Sequence, residues 1–198
     1  MRNGGQVLVE SLVALGATKA FGVPGESYLA VLDALHDTQG KLDYVLCRNE
    51  GGAGFMAAAY GKLTGSPGIC MVTRGPGVTN SSIGIHTAMQ DSAPMLIFVG
   101  QVGTDMKGRE AFQEIDYRAV FGTMAKWAVE IDRVERIPEI IARAWVTRFP
   151  RWVSVLFAAY LLFWTFLVGA SLSSACGLAG ATLFPGLSVP VWGAIHAV

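Results

Sequence analysis

Two hydrophobic periods alternate along most of this chain. Val7-Leu8, Leu12 and Leu15 recur at helical spacing, and Gly16 offers a helix end. A short apolar segment, Ala20-Phe21-Gly22-Val23, runs into Pro24-Gly25. Ser27 is placed to cap a second helix carrying Leu29, Leu32 and Leu35. Leu42-Asp43-Tyr44-Val45-Leu46 predicts a strand, and Glu50 opens a helix that runs to about Leu63. Gly68-Ile69-Cys70-Met71-Val72 and Met95-Leu96-Ile97-Phe98-Val99 predict two more strands, with a helix over Thr79–Gln90 between them. A polar loop from Gln101 to about Gln113 and a last helix over Val134–Trp145 complete the pattern. Phe55 and Met56 are expected in the core, as are the thiols Cys47 and Cys70.

Apolar strands alternating with helices of about ten or more residues imply a parallel sheet covered on both faces. The expected fold is therefore α/β, with three layers. In such a sheet the loops after the strands share one edge, and that edge is where open α/β folds bind ligands. Here those loops hold Pro24-Gly25, Glu50, Gly75-Pro76-Gly77 and Gln101. Positions far apart in sequence thus converge.

Glu50 carries the sharpest candidate chemistry. Taken alone, a carboxylate in the first turn of a helix is explained by the macrodipole. Yet Gly51, Gly52 and Gly54 follow it, and each glycine in a helix costs about 1 kcal/mol against alanine. That local weakness calls for close packing or for a ligand, where the glycines leave room for a flat ring. Gly75-Pro76-Gly77 with Asn80 is the second candidate. Glycines between strand and helix let a ligand approach the backbone, and a helix N-terminus offers free N–H groups; a tight strand–helix turn explains them equally well. The segment is no dinucleotide fingerprint, because Asn80 stands where the third glycine belongs. His36, His86 and His196 fall into no catalytic or metal-binding spacing, and Asp105, Lys107, Arg109 and Glu110 read as a solvated loop.

Charge then divides the chain. Formal net charge is zero, so no strong field recruits nucleic acid, and no basic cluster suggests it. The three cysteines are scattered and odd in number, which fits a reducing compartment and an expected cytoplasmic location. The N-terminus lacks the apolar core of a signal peptide. Every Lys, Arg, Asp and Glu lies at or before Arg151, so the mean hydropathy of +0.44 is raised by an uncharged tail. The expected division is a domain at 1–147 and an apolar tail at 148–198, helical or disordered.

The residues from about Gln6 to Trp145 resemble the pyrimidine-binding domain of thiamine diphosphate enzymes, in the acetolactate synthase and pyruvate decarboxylase-like group. The carriers are Phe21-Gly22-Val23-Pro24-Gly25, Asn49-Glu50-Gly51-Gly52-Ala53, Ala57 to Gly65, Thr73-Arg74-Gly75-Pro76-Gly77-Val78-Thr79-Asn80, His86 to Pro94 and Ala111-Phe112-Gln113-Glu114. Their order and spacing together are specific, although no one of them is. The resemblance implies that Glu50 hydrogen-bonds a ring nitrogen of the aminopyrimidine and favours the tautomer that removes the thiazolium proton, which opens attack on a 2-keto acid. It implies that Pro24, Gly25, Thr73, Pro76, Gly77 and Asn80 line the pyrimidine, and that Gln113 faces the substrate. Asn49 departs from the histidine of many members, which puts proton handling or substrate choice in question.

The same family needs a second domain that binds the diphosphate through Mg²⁺, marked by Gly-Asp-Gly and a later Asn. No Gly-Asp dipeptide occurs in this chain, and no metal site is expected in it. The expectation is a cut-short lyase- or transferase-type half-site, inactive alone, completed in a homo-oligomer or by a partner chain carrying the diphosphate domain. Two alternatives stand beside it: a subunit of a split decarboxylase, and a membrane-anchored pseudoenzyme or binding protein. For the tail, residues 152–170 are uncharged and long enough to cross a bilayer, behind Arg148 and Arg151. The preferred reading is an out-of-frame sequence, because charge and family pattern stop at one point.

Overall fold

A computed structural model of the chain describes residues 2–38, 40–146, 151–183 and 186–196. The chain divides into two compact units, Met1–Arg148 and Phe149–Val198.

The first unit is built on four strands, β1 (Lys19–Gly22), β2 (Asp43–Leu46), β3 (Gly68–Thr73) and β4 (Met95–Gly100). All pair in parallel, in the order β2-β1-β3-β4. Parallel neighbours need crossovers, and helices supply them. The crossovers are α2 (Leu29–Asp37), α3 (Glu50–Thr64) and α4 (Arg74–Gln90), with α1 (Gly4–Ala14) ahead of β1 and the short α5 (Tyr117–Phe121) and α6 (Ile137–Val146) after β4. Alternation along β3 sends Ile69 and Met71 to one face and Cys70 and Val72 to the other. Val9, Leu12, Leu35, Ile141 and Trp145 of α1, α2 and α6 cover the first face. Ala53, Ala57, Val78 and Ile85 of α3 and α4, with Phe121, cover the second. The three-layer α/β architecture expected from the strand pattern is the one observed.

Local chemistry explains most element ends. Asn3 and Gln6 form a reciprocal capping box on α1. Gly16 takes φ +88° beyond its C-terminus, while the Ala17 amide returns to the Leu12 carbonyl at 3.0 Å. Gly65 ends α3 at φ +68°. Ile137, Ile140, Ile141 and Trp145 give α6 one buried stripe.

Three expectations are corrected. Ser27 caps no helix: it lies in a 3₁₀ turn over Glu26–Tyr28, and its hydroxyl pairs with Thr73 Oγ1 at 2.6 Å. The helix expected from Thr79 begins at Arg74, so Gly75-Pro76-Gly77 form its first turn rather than a loop before it. Pro76 fits there because a first-turn amide has no intrahelical partner to lose. Phe55 and Met56 are 44% and 47% exposed. On α3 the buried positions are the small residues Gly51, Ala53, Gly54, Ala57, Ala58 and Gly61, because α4 approaches too closely for large ones. A Cβ on Gly54 would stand 3.1 Å from the Ser81 carbonyl oxygen and 3.2 Å from Gly84 Cα. Cys47 and Cys70 are buried as expected.

The second unit holds α7 (Arg151–Leu183) and α8 (Val189–His196). Ser171, Ser174 and Thr182 return their hydroxyls to carbonyls one turn back. Leu162, Phe163, Trp164 and Leu178 are exposed. The span considered at 152–170 falls in α7, where the side chains of 152–158, 161, 165, 166 and 169 lie outside the described residues. Among the described residues, no helix is long and apolar enough to cross a membrane.

Candidate functional site

The C-terminal ends of the strands carry the candidate residues. Gly22 is level with Leu46, and Thr73 with Gly100, so the four following loops leave one edge. β2 is followed by Arg48, which is exposed, and by Asn49. The Asn49 side chain accepts from the Gly51 and Gly52 amides at 2.8 and 3.3 Å, which caps α3 and sets Glu50 as its first residue. The carboxylate is half-buried and sits in the positive field of that helix end. Asn80, on the second turn of α4, donates its amide to Glu50 Oε2 at 3.2 Å. Oε1 accepts nothing from the described residues.

The glycines around Glu50 divide into two kinds. Gly51 is pressed between Asn49 Oδ1 and the Asn80 carbonyl, and Gly54 against α4. These two serve packing. A Cβ on Gly52 would meet nothing within 4 Å, so packing does not require glycine there as it does at Gly51 and Gly54.

The β1 and β3 loops meet through Gly25, whose Cβ would stand 2.5 Å from Thr73 Cβ. Thr73 spends its hydroxyl on Ser27, and Gly77 is packed on Val72 and Thr73. Pro24 and Pro76 are exposed at the rim. Gln113 comes to the same place by its backbone: its carbonyl accepts the Gly75 amide at 2.9 Å, and its φ is +65°. Gln101, after β4, accepts the Val102 amide at 2.9 Å and receives the Tyr117 hydroxyl at 3.4 Å. Lys107 pairs with Glu130, and Asp105, Arg109 and Glu110 are exposed. His36 and His86 are exposed as well.

Beneath the edge lies a polar cluster that the sequence reading missed. Tyr28 donates to the Val23 carbonyl at 2.5 Å and receives Tyr44 at 3.2 Å. Burial pushes both phenols above their ordinary range. Burial also pushes the Cys70 thiol up to about 12, with Cys47 and Glu50 nearby reinforcing the shift. The available signal was the tyrosine beside Val45 and Leu46 in β2, since a buried phenol needs a partner. Asn49 was legible as a helix cap three residues before Gly52, yet only its departure from the family pattern drew notice.

A carboxylate held at a helix start, with glycine-mediated loops converging on the same edge of a parallel sheet, is the arrangement of an α/β ligand-binding domain. Comparison with known proteins says which one. Residues 2–120 match the family described as "Thiamine pyrophosphate enzyme, N-terminal TPP binding domain". The chain is 40% identical over 144 residues to the acetolactate synthase isozyme 3 large subunit of Escherichia coli, covering 73% of this chain and 25% of that protein. It is 40% identical over 135 residues to the mitochondrial acetolactate synthase catalytic subunit of Saccharomyces cerevisiae, covering 68% and 20%. The acetolactate synthase of Bacillus subtilis is 38% identical over 141 residues, covering 71% and 24%. The chain belongs to the thiamine pyrophosphate enzyme family and carries its N-terminal TPP-binding domain, of the acetolactate synthase-like kind. It spans about a quarter of the length of the curated relatives it matches.

Proposed function

We propose that this domain supplies the pyrimidine half of a thiamine diphosphate site in an enzyme acting on 2-keto acids. The observation that carries the reading is Glu50, half-buried at the start of α3, with Oε2 held by Asn80 and Oε1 accepting nothing from the described residues. Those features fit a nitrogen-bearing ring: a carboxylate oriented by one amide, with its other oxygen left to accept a hydrogen bond. When bound, the cofactor supplies the carbon acid and electron sink for decarboxylation.

The chain's residues have the following parts. Glu50 holds a proton at a ring nitrogen through a charge-assisted hydrogen bond. Asn80 orients that carboxylate. Gly25, Thr73 and Gly77 hold the β1 and β3 loops in register, and Pro24 and Pro76 form the rim against which the ring rests. Gln113 faces the substrate side. The diphosphate and its Mg²⁺ are held by a second domain, on another copy or on a partner chain, so this chain alone turns nothing over. The site works in the cytoplasm. Residues 148–198 have no part in the half-site and are read as out-of-frame; translating the gene in all three frames past codon 140 tests this. The family matches, which span 135 to 144 residues, support that division.

The test is turnover on mixing with a chain that carries the diphosphate domain. A 2-keto acid should be consumed only with thiamine diphosphate and Mg²⁺ present. Glu50→Gln should lower the rate on the order of 10–100-fold with the fold retained, the worth of a charged hydrogen bond. Turnover unchanged by that substitution would refute the assignment.

A further inference from the structure

We propose that Arg74 is a positioning residue that clamps the loops after β1, β3 and β4 into one rim, and so fixes the Gln113 segment against the start of α4. What that rim does for catalysis rests on the half-site reading above.

Three observations carry the proposal. The first is backbone strain on both sides of one hydrogen bond. Arg74 sits at φ +32° and Gln113 at φ +65°, and the Gly75 amide that follows Arg74 donates to the Gln113 carbonyl at 2.9 Å. Such conformations persist only where the surroundings over-determine them. The second is the reach of the guanidinium. Nη1 donates to Glu26 Oε1 at 3.0 Å, on the β1 side, and to the Phe112 carbonyl at 3.5 Å, on the β4 side. The third is its cost. The side chain is only 16% exposed, and its buried Nε has no hydrogen-bond partner among the described residues. A solvated arginine would avoid both penalties.

The clamped segment is already a unit. Glu114 accepts the Gly108 and Ala111 amides at 2.8 and 3.2 Å, which folds the loop on itself. It meets α4 at Gly75, where a Cβ would stand 2.9 Å from the Gln113 oxygen and 3.0 Å from Ile115. Only glycine lets the loop close that far. One arginine then joins this unit to the β1 loop, because its Nη1 carries two hydrogens and donates to both sides.

Hydrogen exchange at the Gly75 amide and trypsin nicking after the exposed Lys107 and Arg109, both on the whole chain, test the clamp. In Arg74→Ala both should quicken by about tenfold or more, the loss of a charge-assisted bond, while α1 amides keep their protection. Arg74→Lys should recover part of this, since it keeps the charge near Glu26 and loses the fork. If the Arg74 variants fail to fold, Glu26→Gln should move both rates the same way by a smaller factor. Unchanged exchange at Gly75 and unchanged nicking in Arg74→Ala, or in Glu26→Gln where that variant must stand in, overturn the clamp. Failure of the half-site reading appears separately, as turnover insensitive to Glu50→Gln, and leaves these rates untouched.

Discussion

The two helices that open at the ligand edge begin in opposite ways. α3 starts from its own sequence: Asn49 caps it, and Glu50 follows in the first turn. α4 starts without any side-chain cap. Thr73 turns its hydroxyl to Ser27, Arg74 takes a strained φ, and the Gly75 amide is satisfied by a carbonyl from far along the chain. The carboxylate is therefore placed by a local cap, while its amide partner, Asn80, is carried in by a helix whose start depends on tertiary contacts. Precision at the site comes from joining the two.

The comparison is broken most severely where the helices touch. A Cβ on Gly84 would stand 2.5 Å from the Gly54 carbonyl carbon. Gly84→Ala should lower stability by about 1–3 kcal/mol, the range for overpacked cores. Its urea midpoint should fall with an unchanged slope. A loss too small to measure would mean that α3 and α4 separate freely and that the Asn80–Glu50 geometry is not set by this crossing.

The strand that feeds α4 gives the next effect. The Cys70 thiol is raised from 9.0 to about 12 by burial. Below pH 9 folded and unfolded chains both keep that proton. Above it the unfolded chain releases the proton first, so stability falls as pH rises from 9 toward 12, by up to about 1.4 kcal/mol per pH unit. Tyr28 and Tyr44 add to the fall at the upper end. Urea midpoints across this range should decline less steeply in Cys70→Ala than in the parent chain.

Smaller effects sharpen the contrast at the helix starts themselves. Asn49→Ala should cost about 1 kcal/mol, and amide exchange at Gly51 and Gly52 should rise, because the cap is local. Thr73→Ala should cost about 0.5–1 kcal/mol through its lost bond to Ser27 and leave exchange in the first turn of α4 unchanged. Equal fraying in the two variants would erase the distinction drawn here.

Much of the fold was legible because its signals are short-range. Strands such as Met95–Gly100 announce themselves by runs of apolar residues, and Gly16 marks a helix end by its freedom at positive φ. Glu50 was legible for the same reason, as an acid after a strand and before glycines. The misses share a cause too. Ser27 looks like a cap until Thr73 offers a partner from another loop, and Thr79 looks like a helix start until the Gln113 carbonyl satisfies an earlier amide. Phe55 and Met56 look like core because their composition is apolar, but close approach of α4 reserves the buried face for glycine and alanine.

By itself the sequence determined the period of each element, the parallel α/β class and the edge on which a carboxylate and a glycine-rich segment meet. Those follow from hydrophobic spacing and backbone preference, which act over a few residues. The tertiary structure alone decided the strand order, the real start of α4, which glycines the packing requires, and the partners of Glu50, Thr73 and Arg74. Each of these depends on the distance between segments remote in sequence, and only the packed sheet with its two helical layers sets that distance.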